Sequence, residues 1–260
     1  MEMKNLSRAI GGLVAALALT LPAHAATATL EALFGGASIT AGDKLFDQWS
    51  LEFWDSSSIT RSLNPANVIV TSLDDGGDDP GPGLRFDVLN GELSIRGTDD
   101  PDGIFAYVDL TFGFRVTPAQ GKAIKDVSMG GYGASYSWNP QATGTGPLDA
   151  GSFIQEYVDS QGVIDPTKDT ADLAELSVEF SYEENLGQTS VLSDSADFDP
   201  QGSVWITKNI LVWATATTDG ASVSSFNQRF SQQPVPEPGS LALVTLALAG
   251  LGAVARRRRG

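Results

Sequence analysis

The chain has no cysteine and a single histidine among its 260 residues. Without thiols there is no disulfide staple, no thiolate metal site and no cysteine nucleophile. The one histidine, His24, stands in an N-terminal stretch that reads as removable. Ser-His-Asp triads, Cys-His dyads and ordinary zinc sites then have no parts to be built from. Positive charge is scarce as well: sixteen lysines and arginines stand against thirty-two aspartates and glutamates, for a net charge of −16. Six of those basic residues (Lys4, Arg8 and Arg256 to Arg259) sit at the two ends, beside only two acids, Glu2 and Glu237. The middle is therefore more acidic than the whole, and such a surface repels nucleic acid and anionic lipid. Other motifs are missing too. No glycine loop ends in Lys-Ser/Thr to cradle phosphate. Gly133-Ala134-Ser135-Tyr136 lacks the glycine at position 137 that a nucleophile elbow needs. No fixed-period repeat is present.

What is there begins at the front. Lys4 and Arg8 precede an apolar run over residues 9–21, broken only by Gly11, Gly12 and Thr20. Ala23-His24-Ala25 follows, a small-x-small triplet suited to signal peptidase, with cleavage expected between Ala25 and Ala26. As a helix the run spans about 20 Å, too short for roughly 30 Å of hydrocarbon, so a signal peptide over residues 1–25 is the reading rather than an anchor.

At the other end, prolines at 234, 236 and 238 precede residues 241–255, fifteen residues without a charge, and then Arg256, Arg257, Arg258 and Arg259. The apolar stretch makes a helix of about 22 Å, which snorkelling arginines lengthen towards a single membrane span. The arginines stay on the cytoplasmic side, so the body lies outside. The prolines oppose helix upstream and leave an irregular segment beside the membrane, open to a protease. Pro236-Glu237-Pro238, the apolar stretch and the terminal arginine cluster together resemble the PEP-CTERM sorting signal. That resemblance implies recognition and removal of the tail by an exosortase in the inner membrane. The processed protein would then be released or attached at the surface of a Gram-negative bacterium that makes extracellular polysaccharide.

Between the ends the hydrophobic period is two. Residues 104 to 116 alternate without a miss, and Leu176, Val178, Phe180 and Tyr182 repeat the pattern, as do Leu84, Phe86, Val88 and Trp49, Leu51, Phe53. Residues 204–217 read as one long strand or two. Glycine, proline and aspartate punctuate the runs, and Asn90-Gly91 reads as a tight hairpin turn. Helix is expected only over 166–173 or 118–122. The result is an all-β ectodomain over residues 26–233, an antiparallel β-sandwich or jelly-roll, followed by the sorting signal over 234–260. Three phrases in the body are similar to other PEP-CTERM proteins: residues 39–46 (ITAGDKLF), residues 207–210 (TKNI) and residues 225–232 (SFNQRFSQ). They imply an exported ectodomain and bring no known active site.

Candidate chemistry rests on acids and aromatics. Asp74, Asp75, Asp78 and Asp79 on a glycine-rich turn offer hard oxygen ligands for calcium, without EF-hand spacing. Asp99, Asp100 and Asp102, and Asp194, Asp197 and Asp199, form two further clusters; against calcium stands the plainer reading of all three as solvated turns, which aspartate favours in any acidic chain. No other cofactor is expected. Carboxylate pairs for a hydrolase can be drawn from Glu52 and Asp55 or from Glu179, Glu183 and Glu184. Five tryptophans (49, 54, 138, 205 and 213) raise glycan contact, with Trp54 and Trp138 foremost, against the alternative of core filling. Phe53 and Trp54 should point to opposite faces. The leading function is a non-enzymatic surface or extracellular-matrix protein, structural or adhesive in an exopolysaccharide or biofilm setting. Signal peptidase and exosortase would be its processing partners. A carbohydrate-binding module and a secreted carboxylate hydrolase are the alternatives.

Overall fold

The computed structural model describes residues 26–58, 61–75, 77, 79–100, 105–137, 149–167 and 169–235. The expected signal peptide up to Ala25, the sorting segment from Pro236 onward, Asp78, Asp102 and Trp138 lie outside the described residues. Among the described residues no helix is long and apolar enough to cross a membrane.

The described residues fold almost entirely as strands. In chain order these are β1 (Thr27–Thr29), β2 (Ile39–Ala41), β3 (Lys44–Ser56), β4 (Val68–Leu73) and β5 (Gly83–Val88). Next come β6 (Ser94–Arg96), β7 (Ala106–Pro118), β8 (Lys122–Ser137), β9 (Ala150–Asp159) and β10 (Ala174–Glu183). The last four are β11 (Gly187–Val191), β12 (Asp194–Gln201), β13 (Val204–Ala214) and β14 (Gly220–Pro234). One helix, α1 (Leu30–Phe34), joins β1 to β2. Thr29 caps it by accepting from the Ala32 amide at 3.2 Å, and Leu30 and Leu33 are buried. At five residues α1 is too short to show a helical period.

All strand pairs are antiparallel and form two seven-stranded sheets. The first runs β1-β4-β5-β14-β8-β12, with β6 also on β14; the second runs β11-β10-β9-β13-β7-β3-β2. They pack face to face as a β-sandwich. Strand β7 shows why: Ala106, Val108, Leu110, Phe112, Phe114 and Val116 are all buried, while Tyr107, Asp109 and Arg115 between them face outward. Rings from both sheets fill the gap. Trp49 stacks on Phe114 at 4.4 Å between centroids, and Phe86 stacks on Phe226 at 4.4 Å. Phe46 of the second sheet meets Phe230 of the first at 5.8 Å.

A polar clasp crosses this apolar layer. Lys208 on β13 and Glu156 on β9 are fully buried and paired, and Gln228 on β14 joins them from the opposite sheet. Gln228 donates its amide to Glu156 at 2.8 Å, and Lys208 lies 5.4 Å from the centre of the Phe226 ring. Burial pushes the Glu156 carboxyl up and the Lys208 ammonium down, and their mutual attraction opposes both shifts. A second clasp lies nearer the surface, where Asp43 meets Lys44, Lys122 and Gln232. The three sequence phrases noted above thus supply Asp43 and Lys44, Lys208, and Gln228 and Gln232 to these two clasps.

Three expectations need correction. The 118–122 segment is the turn between β7 and β8, and Pro166 and Thr167 lie in a turn, so among the described residues neither stretch is helical. Asn90 and Gly91 do take positive φ (55° and 69°), but β5 and β6 do not pair with each other. They line up end to end along β14, because Arg61 and the Asn64–Asn67 stretch hold the turn away from a hairpin. Arg61 donates to the Gly91 carbonyl at 3.0 Å, and Asn67 donates to Glu92 at 2.8 Å. Finally, Trp49, Leu51 and Phe53 do not share a face. Strand β3 shifts register against β7 between Asp47 and Ser50 and again between Leu51 and Phe53. Trp49 is buried, whereas Leu51 and Phe53 are 45% and 48% exposed. Each bulge adds a residue and reverses the parity that alternation assumes. The 204–217 stretch resolves as a single strand, β13, followed by a turn.

Candidate functional site

The outer face of the second sheet gathers aromatic and acidic side chains from five adjacent strands. Glu179 (β10), Phe153 (β9), Leu211 (β13), Asp109 (β7) and Asp55 (β3) lie directly opposite one another in register. The next row brings together Gln155, Asn209, Thr111 and Phe53. Trp213 and Tyr107 form a third pair on the other side of the first row. Outward positions of long central strands are polar when they face water. Here they also carry large rings, which alternation alone does not require.

Over this face lies a pocket of ≈ 350 Å³, lined by Glu52, Phe53, Asp109, Thr111, Asn209 and the segment 164–167. The wall segment is fixed to the sheet: the Ile164 amide donates to the Thr207 hydroxyl at 3.0 Å, and the Thr167 hydroxyl donates to Asp165 at 2.6 Å. Gly113 lets the wall lie flat, since a Cβ there would sit 2.4 Å from a Val163 methyl. Asn209 donates to Asp109 at 2.7 Å and to Thr111 at 2.9 Å, and so orders the floor. Burial raises the Asp109 carboxyl above its usual range; the Asn209 hydrogen bond opposes this and the charge of Asp55 adds to it. Tyr107 donates to Asp55 at 2.6 Å, and this bond raises its phenol, with burial adding to it.

A second pocket of ≈ 330 Å³ adjoins the first across the Asp109–Leu211 pair, lined by Phe105, Phe153, Glu179, Glu183, Leu211 and Trp213. Phe153 and Trp213 are 6.1 Å apart, and Phe105, 42% exposed, lies 5.7 Å from Tyr107. Farther along the same face, Arg115 is held by Asp47 at 2.8 Å and lies over Trp205.

The carboxylates Glu52, Asp55, Glu179 and Glu183 therefore share one sheet face, whereas Glu184 lies on the turn after β10. Of the adjacent rings, Trp54 is half-buried against the core and Phe53 is the exposed one. Sequence reasoning names Phe53 only as a strand residue and Asn209 only within the 207–210 phrase, and marks neither of them, nor Asp109, as a site residue. The signal for the last two was the polar parity of β7 and β13, which names a face but not which of its residues converge.

The aspartate-rich turn sits elsewhere, and its described acids turn to different partners. Asp74 accepts from the Gly42 amide at 2.8 Å, Asp75 pairs with Arg229 at 2.8 Å, and Asp79 pairs with Lys125 at 2.9 Å. Asp99 caps the Arg96 amide, Asp100 accepts from the Phe105 amide, and Asp194 accepts from the Ser177 amide. Among the described residues, no group of three or more His, Cys, Asp or Glu is placed to hold a metal ion.

Similar solved structures are distant. TmCBM61, solved in complex with β-1,4-galactotriose, is 12% identical with a TM-score of 0.26, over 70% of this chain and 87% of its own. TmCBM27, a carbohydrate-binding module recognising mannan, is 10% identical with a TM-score of 0.24, over 72% of this chain and 99% of its own. The enzymatically active domain of tailspike protein 4 from bacteriophage CBA120 is 11% identical with a TM-score of 0.22, over 72% of this chain but 19% of its own. Nothing about function rests on these likenesses. Among curated proteins, none is similar to this chain.

The C-terminal end is different. Strand β14 stays paired with β8 as far as Pro234, opposite Lys122, and the Val235 amide donates to the Gly121 carbonyl at 2.7 Å. From Pro234 onward the sequence matches a known signal: residues 234–259 are a PEP-CTERM protein-sorting motif, which implies export and processing by an exosortase.

Proposed function

We propose that the protein is an exported surface or extracellular-matrix component, freed from its first 25 residues by signal peptidase and from its sorting tail by an exosortase. Its β-sandwich binds extracellular polysaccharide through the outer face of the second sheet. One observation carries the glycan reading: the second bulge of β3 turns Phe53 out of the core and onto the rim of a pocket floored by Asp109, Thr111 and Asn209. Bulges that re-aim a side chain recur next to functional sites. A flat ring beside fixed hydrogen-bonding groups suits a sugar, which offers an apolar C–H face and a rim of hydroxyls. The adjoining Phe153, Trp213 and Phe105 give room for further sugar units along a chain. Affinity electrophoresis of the purified protein in gels cast with different polysaccharides tests this. Retardation by at least one polymer is expected, and Phe53→Ala should weaken it by roughly two- to tenfold, the worth of one aromatic contact. Unchanged mobility in every gel would refute the reading.

A hydrolase is the second reading, favoured by Asp109: a carboxyl raised by burial, facing other carboxylates in a pocket, is the form a general acid takes. Release of reducing ends from a retained polysaccharide, abolished in Asp109→Asn, would establish it. Retention without cleavage leaves a binding module.

A further inference from the structure

The polar clasp between the sheets holds the parts of an amide-forming reaction. Lys208 on β13, Glu156 on β9 and Gln228 on β14 are all 0% exposed. Lys208 Nζ donates to Gln228 Oε1 and to Glu156 Oε2, and Gln228 Nε2 donates to Glu156 Oε1 at 2.8 Å. Nζ therefore touches the oxygen bonded to Cδ, the carbonyl carbon of Gln228, while the amide nitrogen of the same group already rests on a carboxyl oxygen. A nucleophile held against its electrophile reacts as if at very high concentration.

The surroundings suit the same chemistry. Buried Ile206 and Ile210 flank Lys208 on its strand, buried Ile154 and Val158 flank Glu156, and the centre of the Phe226 ring lies 5.4 Å from Nζ. Such a shell keeps water from competing with the amine. Burial pushes the Glu156 carboxyl up and the Lys208 ammonium down. Both shifts favour the neutral pair, in which Nζ has a free lone pair and Glu156 has a proton to give. The outer clasp differs: the Asp43 carboxyl lies at about 2, so it stays ionised between Lys44 and Lys122. As a mere stabiliser, a fully buried ion pair does little that apolar side chains of similar size would not.

We propose that Lys208 and Gln228 join through an amide bond between Nζ and Cδ, with Glu156 as the catalytic acid and base. Nζ attacks Cδ and the N–C bond forms; Glu156 gives its proton to Oε1 and takes one from Nζ. The Cδ–Nε2 bond then breaks as Nε2 takes the proton from Glu156. The carbonyl re-forms, the Oε1 proton returns to Glu156, and ammonia leaves. One amine proton has moved to Nε2, Glu156 ends as it began, and no oxidant is consumed. The bond links positions 20 residues apart and ties the second sheet to the first. It gives a chain without cysteine a covalent staple, on the strand that leads into the sorting motif. Stability changes at these three positions are read against the unlinked fold.

The test is mass spectrometry of tryptic peptides from the purified protein. In this region trypsin cuts after Lys125, Lys168, Lys208 and Arg229. A linked Lys208 resists cleavage, so one peptide over 169–229 is expected, lighter by a single ammonia, with no backbone fragments released between 208 and 228. Its boundaries lie clear of both processed ends. Glu156→Gln and, separately, Gln228→Met should instead yield 169–208 and 209–229 at full mass. Should either variant fail to fold, the wild-type peptides decide alone. Wild-type 169–208 and 209–229 at full mass would overturn the proposal. A 126–168 peptide joined to Lys208 with loss of water would place the amide on Glu156 and overturn the assignment to Gln228. A link that persists in folded Glu156→Gln would overturn the catalytic role of Glu156. None of these results bears on glycan binding, which stands or falls by the gels.

Discussion

Lys208 occupies a position where the alternation of β13 calls for an aliphatic side chain, between Ile206 and Ile210 on the buried face. Glu156 does the same on β9, between Ile154 and Val158. Each broke the apolar pattern in the sequence, and each could have been flagged for it, but nothing in one dimension said that they meet. Removing one member of a buried pair leaves the other charge desolvated and alone. Lys208→Met is therefore expected to cost about 3–5 kcal/mol, read as a drop in the urea midpoint. Replacing Lys208, Glu156 and Gln228 together by Met, Leu and Leu should recover most of that loss. Asp43 gives a pH-dependent counterpart. Burial pushes its carboxyl up, but hydrogen bonds from Lys122 and Gln232 and the charge of Lys44 outweigh it and bring it from 3.8 down to about 2. Its contribution to stability is thus complete above pH 3.8 and disappears as pH falls through about 2. Asp43→Asn should lower the urea midpoint at pH 5 and flatten its decline between pH 4 and pH 2.

Strand β7 was legible because its parity runs unbroken from Ala106 to Val116. Strand β3, its neighbour, was not, because two bulges reverse parity within seven residues and no local residue pattern announces a bulge. The candidate site sits at that blind spot: the ring that matters is Phe53, while the more conspicuous Trp54 packs inward. The wall segment was equally hidden, since its place depends on Gly113, a residue that reads as an ordinary gap in a strand. Gly113→Ala would drive a Cβ to 2.4 Å from Val163 and 3.0 Å from the Ile206 carbonyl. The wall must then lift off the sheet. Expected are a stability loss of about 1–3 kcal/mol by urea unfolding and a fall in glycan retention at least as large as that of Phe53→Ala.

For the whole molecule the balance of charge decides the response to salt. Screening weakens exposed pairs such as Arg85–Asp87, but it also relieves repulsion among thirty-two acids opposed by sixteen bases. Exposed pairs are worth little individually, so repulsion dominates, and the melting temperature should rise as salt increases from about 0.01 M to about 1 M. A fall would mean that surface pairs outweigh the net charge. The layered all-β architecture followed from composition and period. Strand order did not, because it depends on pairings between distant segments, and one of these has a consequence for biogenesis. The final strand, β14, is an interior one, with β5 and β6 along one edge and β8 along the other. A ribosome makes it last. Until residues 220–234 have been delivered, the partners on either side wait with bare backbone edges, a sticky intermediate that invites pairing with other nascent chains. A polypeptide built this way closes its first sheet only as residues 220–234 arrive.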